Sequence, residues 1–224
     1  MLKFCLPLLE SSKRSVFARL QDIDPAYSFY EIWLDYIADI DVKFIENIST
    51  EYPSKLIFVF RRQNLEPMHM PHEKRQALLS ALDDKGAYLD LDIRTQLDEL
   101  QYVKERRLNV PLISSYHNYN LTPPVSELTS IVTEMEPFSP AIYKFSTLCR
   151  DRNDALNLLS LLLRLDNEGK KHIVLGMGEH GKILRVFGAL WGNEINFAPE
   201  TLDKSSAPGQ LSLRQLQSIL RELK

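Results

Sequence analysis

The stretches VPLISSYH (residues 110–117) and AIYKF (residues 141–145) decide the fold. Each is a short apolar run with branched and aromatic residues, and each reads as a strand covered on both faces. Between them, Val125, Leu128, Val132 and Met135 recur at helical spacing and form one apolar face. Thr122 is placed to cap that helix, with Pro123 at its first position. A strand, a helix and a strand in about thirty residues make one unit of a parallel sheet.

The same alternation extends in both directions. Strands are expected at 2–8, 28–34, 55–60, 87–91, 110–115, 141–144, 172–177 and 195–197. Leu97, Leu100 and Val103 mark a helix, and 154–165 is the clearest helix, closed by Gly169. The second unit has a weak pattern, and its helix is expected within 35–48. Ser212 and Gln215 form a capping box for the last helix, whose face is Leu213, Leu216, Leu220 and Leu223. Eight strands alternating with helices point to a single closed (β/α)8 TIM barrel, a single domain over 1–224. The competing architecture is a doubly wound open sheet.

Composition agrees with a soluble globular chain. Apolar residues make up 44% and charged residues 25% of 224. The formal net charge of −3 offers no general field for nucleic acid or an anionic membrane. Cys5 and Cys149 are too few for a disulfide framework or a zinc site, and suit a reduced, cytoplasmic setting. The apolar run after Lys3 is too short for a leader or a membrane span and reads as the first strand.

In a barrel, chemistry belongs at the C-terminal ends of the strands. His117 follows one expected strand and Lys144 ends the next, 27 positions later. Adjacent parallel strands lie about 4.8 Å apart, so both side chains can reach one small substrate. A lysine in an apolar setting is partly neutral, and a neutral amine attacks a ketone to give an imine. Histidine titrates near neutrality and can move the protons of such a reaction. A snorkelling lysine and a loop histidine are the plainer alternatives. Further on come Met177, then Arg185, an apt carboxylate ligand, then SSAPGQ (residues 205–210), a loop that can close as a lid.

The ordered set His117, Thr122-Pro123, Lys144, Met177, Arg185, Phe197 and Ser206 to Gln210 resembles type I 3-dehydroquinate dehydratase of the shikimate pathway. The resemblance implies dehydration of 3-dehydroquinate to 3-dehydroshikimate. Lys144 would form the Schiff base with the C3 ketone, and His117 would take the C2 proton and assist loss of the C1 hydroxyl. Arg185 would hold the substrate carboxylate, with Ser206 and Gln210 as lid contacts and Met177 and Phe197 as apolar walls. Arg61 and Glu31 match substrate-binding positions, and the resemblance implies no metal or organic cofactor. The family also implies a homodimer, and a chain that is either free or one half of a fusion to shikimate dehydrogenase.

Two positions depart from that family. Trp33 stands where the pattern has an arginine, with Arg62 or Lys3 as replacements. Leu65 stands where a glutamate orients the histidine, with Glu66 the nearest acid. Other readings are a class I aldolase-type lysine-imine barrel and a barrel kept as a structural or interaction domain.

Three further stretches have plainer explanations. GMGEHG (residues 176–181) matches GxGxxG, but too little chain follows for a dinucleotide domain, so its glycines are expected to form a tight turn with His180 in solvent. MHMPH (residues 68–72) is expected to be a mobile loop rather than a soft-metal site. KERR (residues 104–107) is expected to be a solvated helix end.

Overall fold

The computed structural model describes residues 2–22 and 24–223. Among these, eight strands alternate with eight α-helices. The strands are β1 Phe4–Leu8, β2 Tyr27–Trp33, β3 Leu56–Val59, β4 Tyr88–Asp92, β5 Leu112–Asn118, β6 Ile142–Leu148, β7 His172–Met177 and β8 Asn196–Phe197. The helices are α1 Lys13–Gln21, α2 Val42–Glu51, α3 His72–Ser80, α4 Leu97–Glu105, α5 Val125–Met135, α6 Arg152–Asn167, α7 Lys182–Leu190 and α8 Leu213–Glu222.

Every strand pair is parallel, in the order β7-β6-β5-β4-β3-β2-β1-β8. This is a nearly closed (β/α)8 TIM barrel, and the doubly wound sheet is set aside. The seam lies between β7 and β8. There a bridge joins His172 to Asn193, and the Asn193 side chain substitutes for a strand. Its Oδ1 accepts from Val174 N at 2.8 Å and its Nδ2 donates to Val174 O at 3.2 Å.

All eight expected strands are present, with two consequential differences in length. β5 continues to Asn118, so His117 lies within it. β6 continues to Leu148, so Lys144 sits near its start rather than at its end. The second helix begins at Val42, capped by the Asp41 side chain, and runs past the expected 48. Thr122 does not cap α5, whose N-cap is Pro124 without a side-chain bond. Its hydroxyl instead pairs with Thr147 Oγ1 at 2.7 Å and donates to Leu148 O at 2.9 Å. The capping box of Ser212 and Gln215 forms as expected.

Alternation within each strand builds two cores. Outward residues such as Ile32, Phe58, Leu91, Phe145 and Val174 pack beneath the helices. Inward residues Cys5, Ile57, Ile113, Ile142, Ile173 and Ile195 fill the barrel as a separate apolar cluster. Because side chains repeat every two residues, the next inward positions along the strands are Glu31, Asp90, Ser115 and Lys144. The apolar floor therefore gives way to a charged layer toward the strands' C-terminal ends. Among the described residues, no helix is long and apolar enough to cross a membrane.

Candidate active site

A small cavity opens above that charged layer. Glu31, Arg61, His117, Lys144, Arg185, Phe197, Ser206 and Gln210 all line it. Met177 is buried but not among the lining residues; the wall from β7 is Leu175, two positions earlier.

Lys144 is buried, but its setting is charged rather than apolar. Its Nζ donates to Asp90 Oδ2 at 2.7 Å and Glu31 Oε1 at 3.2 Å. It also lies 4.2 Å from the centre of the Phe197 ring. Asp90 binds Arg61 through both oxygens, at 2.6 and 3.1 Å, and accepts from Ser115 Oγ at 2.6 Å. Burial alone would raise the Asp90 carboxyl, but Arg61 and Lys144 hold it well below the usual carboxylate range. The same pairing outweighs burial at Arg61 and raises its guanidinium above its ordinary value.

His117 is held from β4. Its ring Nδ1 and its backbone N each lie 2.9 Å from Asp92 Oδ2. Burial and the nearby Arg61 push the imidazole below its ordinary value, against the pull of Asp92. Glu66 is exposed and turns away, with its carboxylate 3.9 Å from Arg62 Nε. Leu65 faces a neighbouring groove beside His117.

Trp33 does not leave a gap where a cation is expected. Its Nε1 donates to Glu31 Oε2 at 2.8 Å, and the Arg61 guanidinium lies 5.6 Å from its ring centre. Neither expected replacement reaches the cavity. Arg62 binds the Asp35 carboxylate at 3.0 Å, and Lys3 pairs with Glu194.

Arg185 projects inward from the first turn of α7, and its three guanidinium nitrogens are buried with no partner among the described residues. Burial pushes it down to about 10. Such an orphaned cation is costly unless an anion joins it. The loop 205–210 closes over this part of the cavity. Gln210 bonds Ser206 through Oε1 to N at 2.9 Å and through Nε2 to Oγ at 3.1 Å. Gln63 Nε2 donates to Ser206 O at 3.0 Å, and Gly178 N donates to Pro208 O at 3.2 Å.

The glycine-rich stretch after β7 is thus a turn that seats the lid. The stretch 68–72 is tied down rather than loose. His69 N and Met70 N both donate to the Asp35 carboxylate, and Met70 is buried. Asp90, Asp92, Ser146 and Leu175 escaped the sequence reading. The usable signal was YLDLD (residues 88–92), where two acids repeat at a period of two on the inward face at a strand's C-terminal end.

A family described as Type I 3-dehydroquinase matches residues 4–224. The 3-dehydroquinate dehydratase of Coxiella burnetii (strain CbuK_Q154) is 30% identical over 219 residues, covering 97% of this chain and 91% of the relative. A type I 3-dehydroquinate dehydratase from Clostridium difficile, solved with covalently modified comenic acid, superposes with a TM-score of 0.83. It is 22% identical, with coverage of 99% of this chain and 92% of that one. The dehydroquinate dehydratase and shikimate dehydrogenase from S. pombe gives a TM-score of 0.78 at 19% identity. There the match covers 97% of this chain and 44% of that one. With the family matched from β1 through α8, the chain belongs to the type I 3-dehydroquinases, carbon–oxygen lyases of the shikimate pathway.

Proposed function

We propose that this chain dehydrates 3-dehydroquinate through an imine on Lys144, with His117 as general acid and base. The observation that carries the reading is one cavity holding an amine, an imidazole and an unpartnered guanidinium. Lys144 lends a proton to His117 and adds as a neutral amine to the C3 ketone, and the proton handed back by His117 lets water leave, giving an iminium. That cation draws electrons from the neighbouring C–H bond, and His117 takes the C2 proton. His117 then returns a proton to the C1 hydroxyl, which departs as water. Hydrolysis of the iminium frees the conjugated enone and the amine.

The carboxylates of Asp90 and Glu31 support this sequence by facing the iminium with opposite charge. Arg185 is the proposed ligand of the substrate carboxylate, because it has no other anion. Ser206 and Gln210 close over the substrate, and Phe197 gives an apolar wall. Arg61 also lines this cavity, and its Nε has no partner among the described residues. Glu31 orients Lys144 rather than meeting substrate alone. Residues 1–224 act as one catalytic unit in the cytoplasm, as a homodimer or as part of a fusion with a shikimate dehydrogenase.

The test is borohydride reduction in the presence of 3-dehydroquinate, read by mass spectrometry. A single reduced adduct on Lys144, absent from Lys144→Ala, is expected together with rising ultraviolet absorbance from the enone. An unmodified parent chain overturns the proposal.

A further inference from the structure

We propose that Asp92 is the positioning residue that orients His117, in place of the glutamate that Leu65 replaces. The inference rests on the reaction proposed above. Asp92 is fully buried at the end of β4. Its Oδ1 accepts from Arg94 N at 3.0 Å, Thr95 N at 3.0 Å and Thr95 Oγ1 at 3.1 Å. Those bonds fix one oxygen and aim the other at β5. There Oδ2 meets both the backbone and the ring of His117, each at 2.9 Å.

The chemical consequence follows from what a carboxylate can do. Ionised, it only accepts, so the facing ring nitrogen must carry the proton. Burial raises the Asp92 carboxyl, but its bond to His117 and nearby Arg61 outweigh that and hold it below its ordinary value. His117 therefore holds its proton on Nδ1 and keeps a free lone pair on Nε2. A base that must remove a C–H proton needs that lone pair. Leu65 has no polar atom to offer, and Glu66 is turned toward Arg62. Asp92 reaches the same ring from a strand rather than from a loop.

The charged groups acting on His117 are Asp92 and Asp90 from β4, Arg61 from the end of β3 and Lys144 from β6. Arg61 and Lys144 disfavour the imidazolium, and Asp92 favours it. Removing the Asp92 charge lowers the His117 value further, so the acid side of the pH profile moves to lower pH.

The test compares the full chain with Asp92→Asn and Asp92→Glu. Asp92→Asn should lower kcat by a factor on the order of 10⁴, as when an imidazole is left in the wrong tautomer. Its imine should still be trapped by borohydride, and its acid limb should shift downward. Asp92→Glu should recover part of kcat and keep the parent's acid limb. Nitrogen NMR of the labelled imidazoles, with His117 assigned by its loss in His117→Asn, should place the proton on Nδ1 in the parent. A kcat within about threefold of the parent for Asp92→Asn, with an unmoved acid limb, overturns the proposal. A parent that neither turns over nor traps an imine instead overturns the reaction, while the NMR result still decides Asp92. Should Asp92→Asn fail to fold, the parent's spectrum decides alone: a proton on Nε2 overturns the assignment.

Discussion

Lys144 Nζ donates to Asp90 Oδ2 at 2.7 Å, and that carboxylate also clasps Arg61. One fully buried anion therefore stands between two buried cations. Neutralising it in Asp90→Asn leaves Glu31 as the only carboxylate among the described residues touching Lys144. The expected loss is about 3–5 kcal/mol, the usual cost of breaking a buried pair. For a chain of this size that lowers Tm by about 6–20 °C. The pH dependence has a definite sign. The folded value of Asp90 is depressed, so its contribution is present above the unfolded value of about 3.9 and is lost as pH falls toward the folded one. Thermal melts of parent and variant should therefore differ most near neutrality and converge below about pH 4. Equal melts at pH 7 would sink this account.

Arg185 predicts opposite effects on stability and on binding. Its guanidinium is buried with no partner among the described residues, so the protein without ligand bears the cost of an isolated charge. Arg185→Met keeps most of the volume and removes the charge. Without ligand, the variant should melt at or above the parent. With 3-dehydroquinate, its KM should rise by about 10²-fold, equivalent to losing a charge-assisted contact worth a few kcal/mol. A marked fall in the unliganded Tm with unchanged KM would contradict both halves.

His117 sets the acid side of the activity profile. Burial and Arg61 hold it below its ordinary value, so it stays neutral, and able to accept a proton, under mildly acidic conditions. The expected kcat/KM is flat through about pH 6.5, where an exposed histidine would already be half protonated, and falls only below it. A limb at or above that value would show that another group, or an unshifted imidazole, governs the reaction.

These relationships explain why the sequence was readable to different depths. The strands were legible because the barrel floor is apolar. Ile57, Ile113, Ile142 and Ile173 and their outward neighbours give continuous hydrophobic runs. The upper ends of β5 and β6 were not, because their inward residues, His117 and Ser146, face a polar cavity and break the pattern. Thr122 carried a good capping signal, but Thr147 and the Leu148 carbonyl offered its hydroxyl better partners than the start of α5. Asp92 was hidden by a substitution of roles. The search for a carboxylate stayed in the loop near Leu65, whereas the acid came from β4, two strand positions beyond Asp90.

Trp33 supplies a direct reporter of binding. It lines the cavity and donates to Glu31 at 2.8 Å, while the chain's other tryptophan, Trp191, is partly exposed. Ligand entering the cavity should change the fluorescence of the parent and leave that of Trp33→Phe nearly unchanged. Phenylalanine keeps the ring but has no N–H, so Glu31 loses one of its donors. Loss of one bond to a charged group is worth about 1.5–3 kcal/mol, so kcat/KM should fall by about 10–150-fold. An equal fluorescence response in parent and variant would place the ligand elsewhere.

The lid rests on a backbone contact that only glycine permits. Gly209 has φ +79°, and a Cβ there would meet Gly178 O at 2.4 Å. Both atoms belong to main chain, so neither can swing aside. Gly209→Ala must displace the loop from the turn after β7, and Ser206 and Gln210 move with it because they are bonded to each other across the same loop. The strained conformation costs about 1–3 kcal/mol if it is kept, and the loop opens if it is not. Either way the groups that close over the substrate are misplaced, so kcat/KM should fall by about 10²-fold. Trapping of the Lys144 imine should persist, since β6 and the charged layer beneath it are untouched. A variant with parental kcat/KM would mean that closure of this loop contributes nothing to turnover, while loss of the trapped imine would mean that the disturbance reaches the barrel itself.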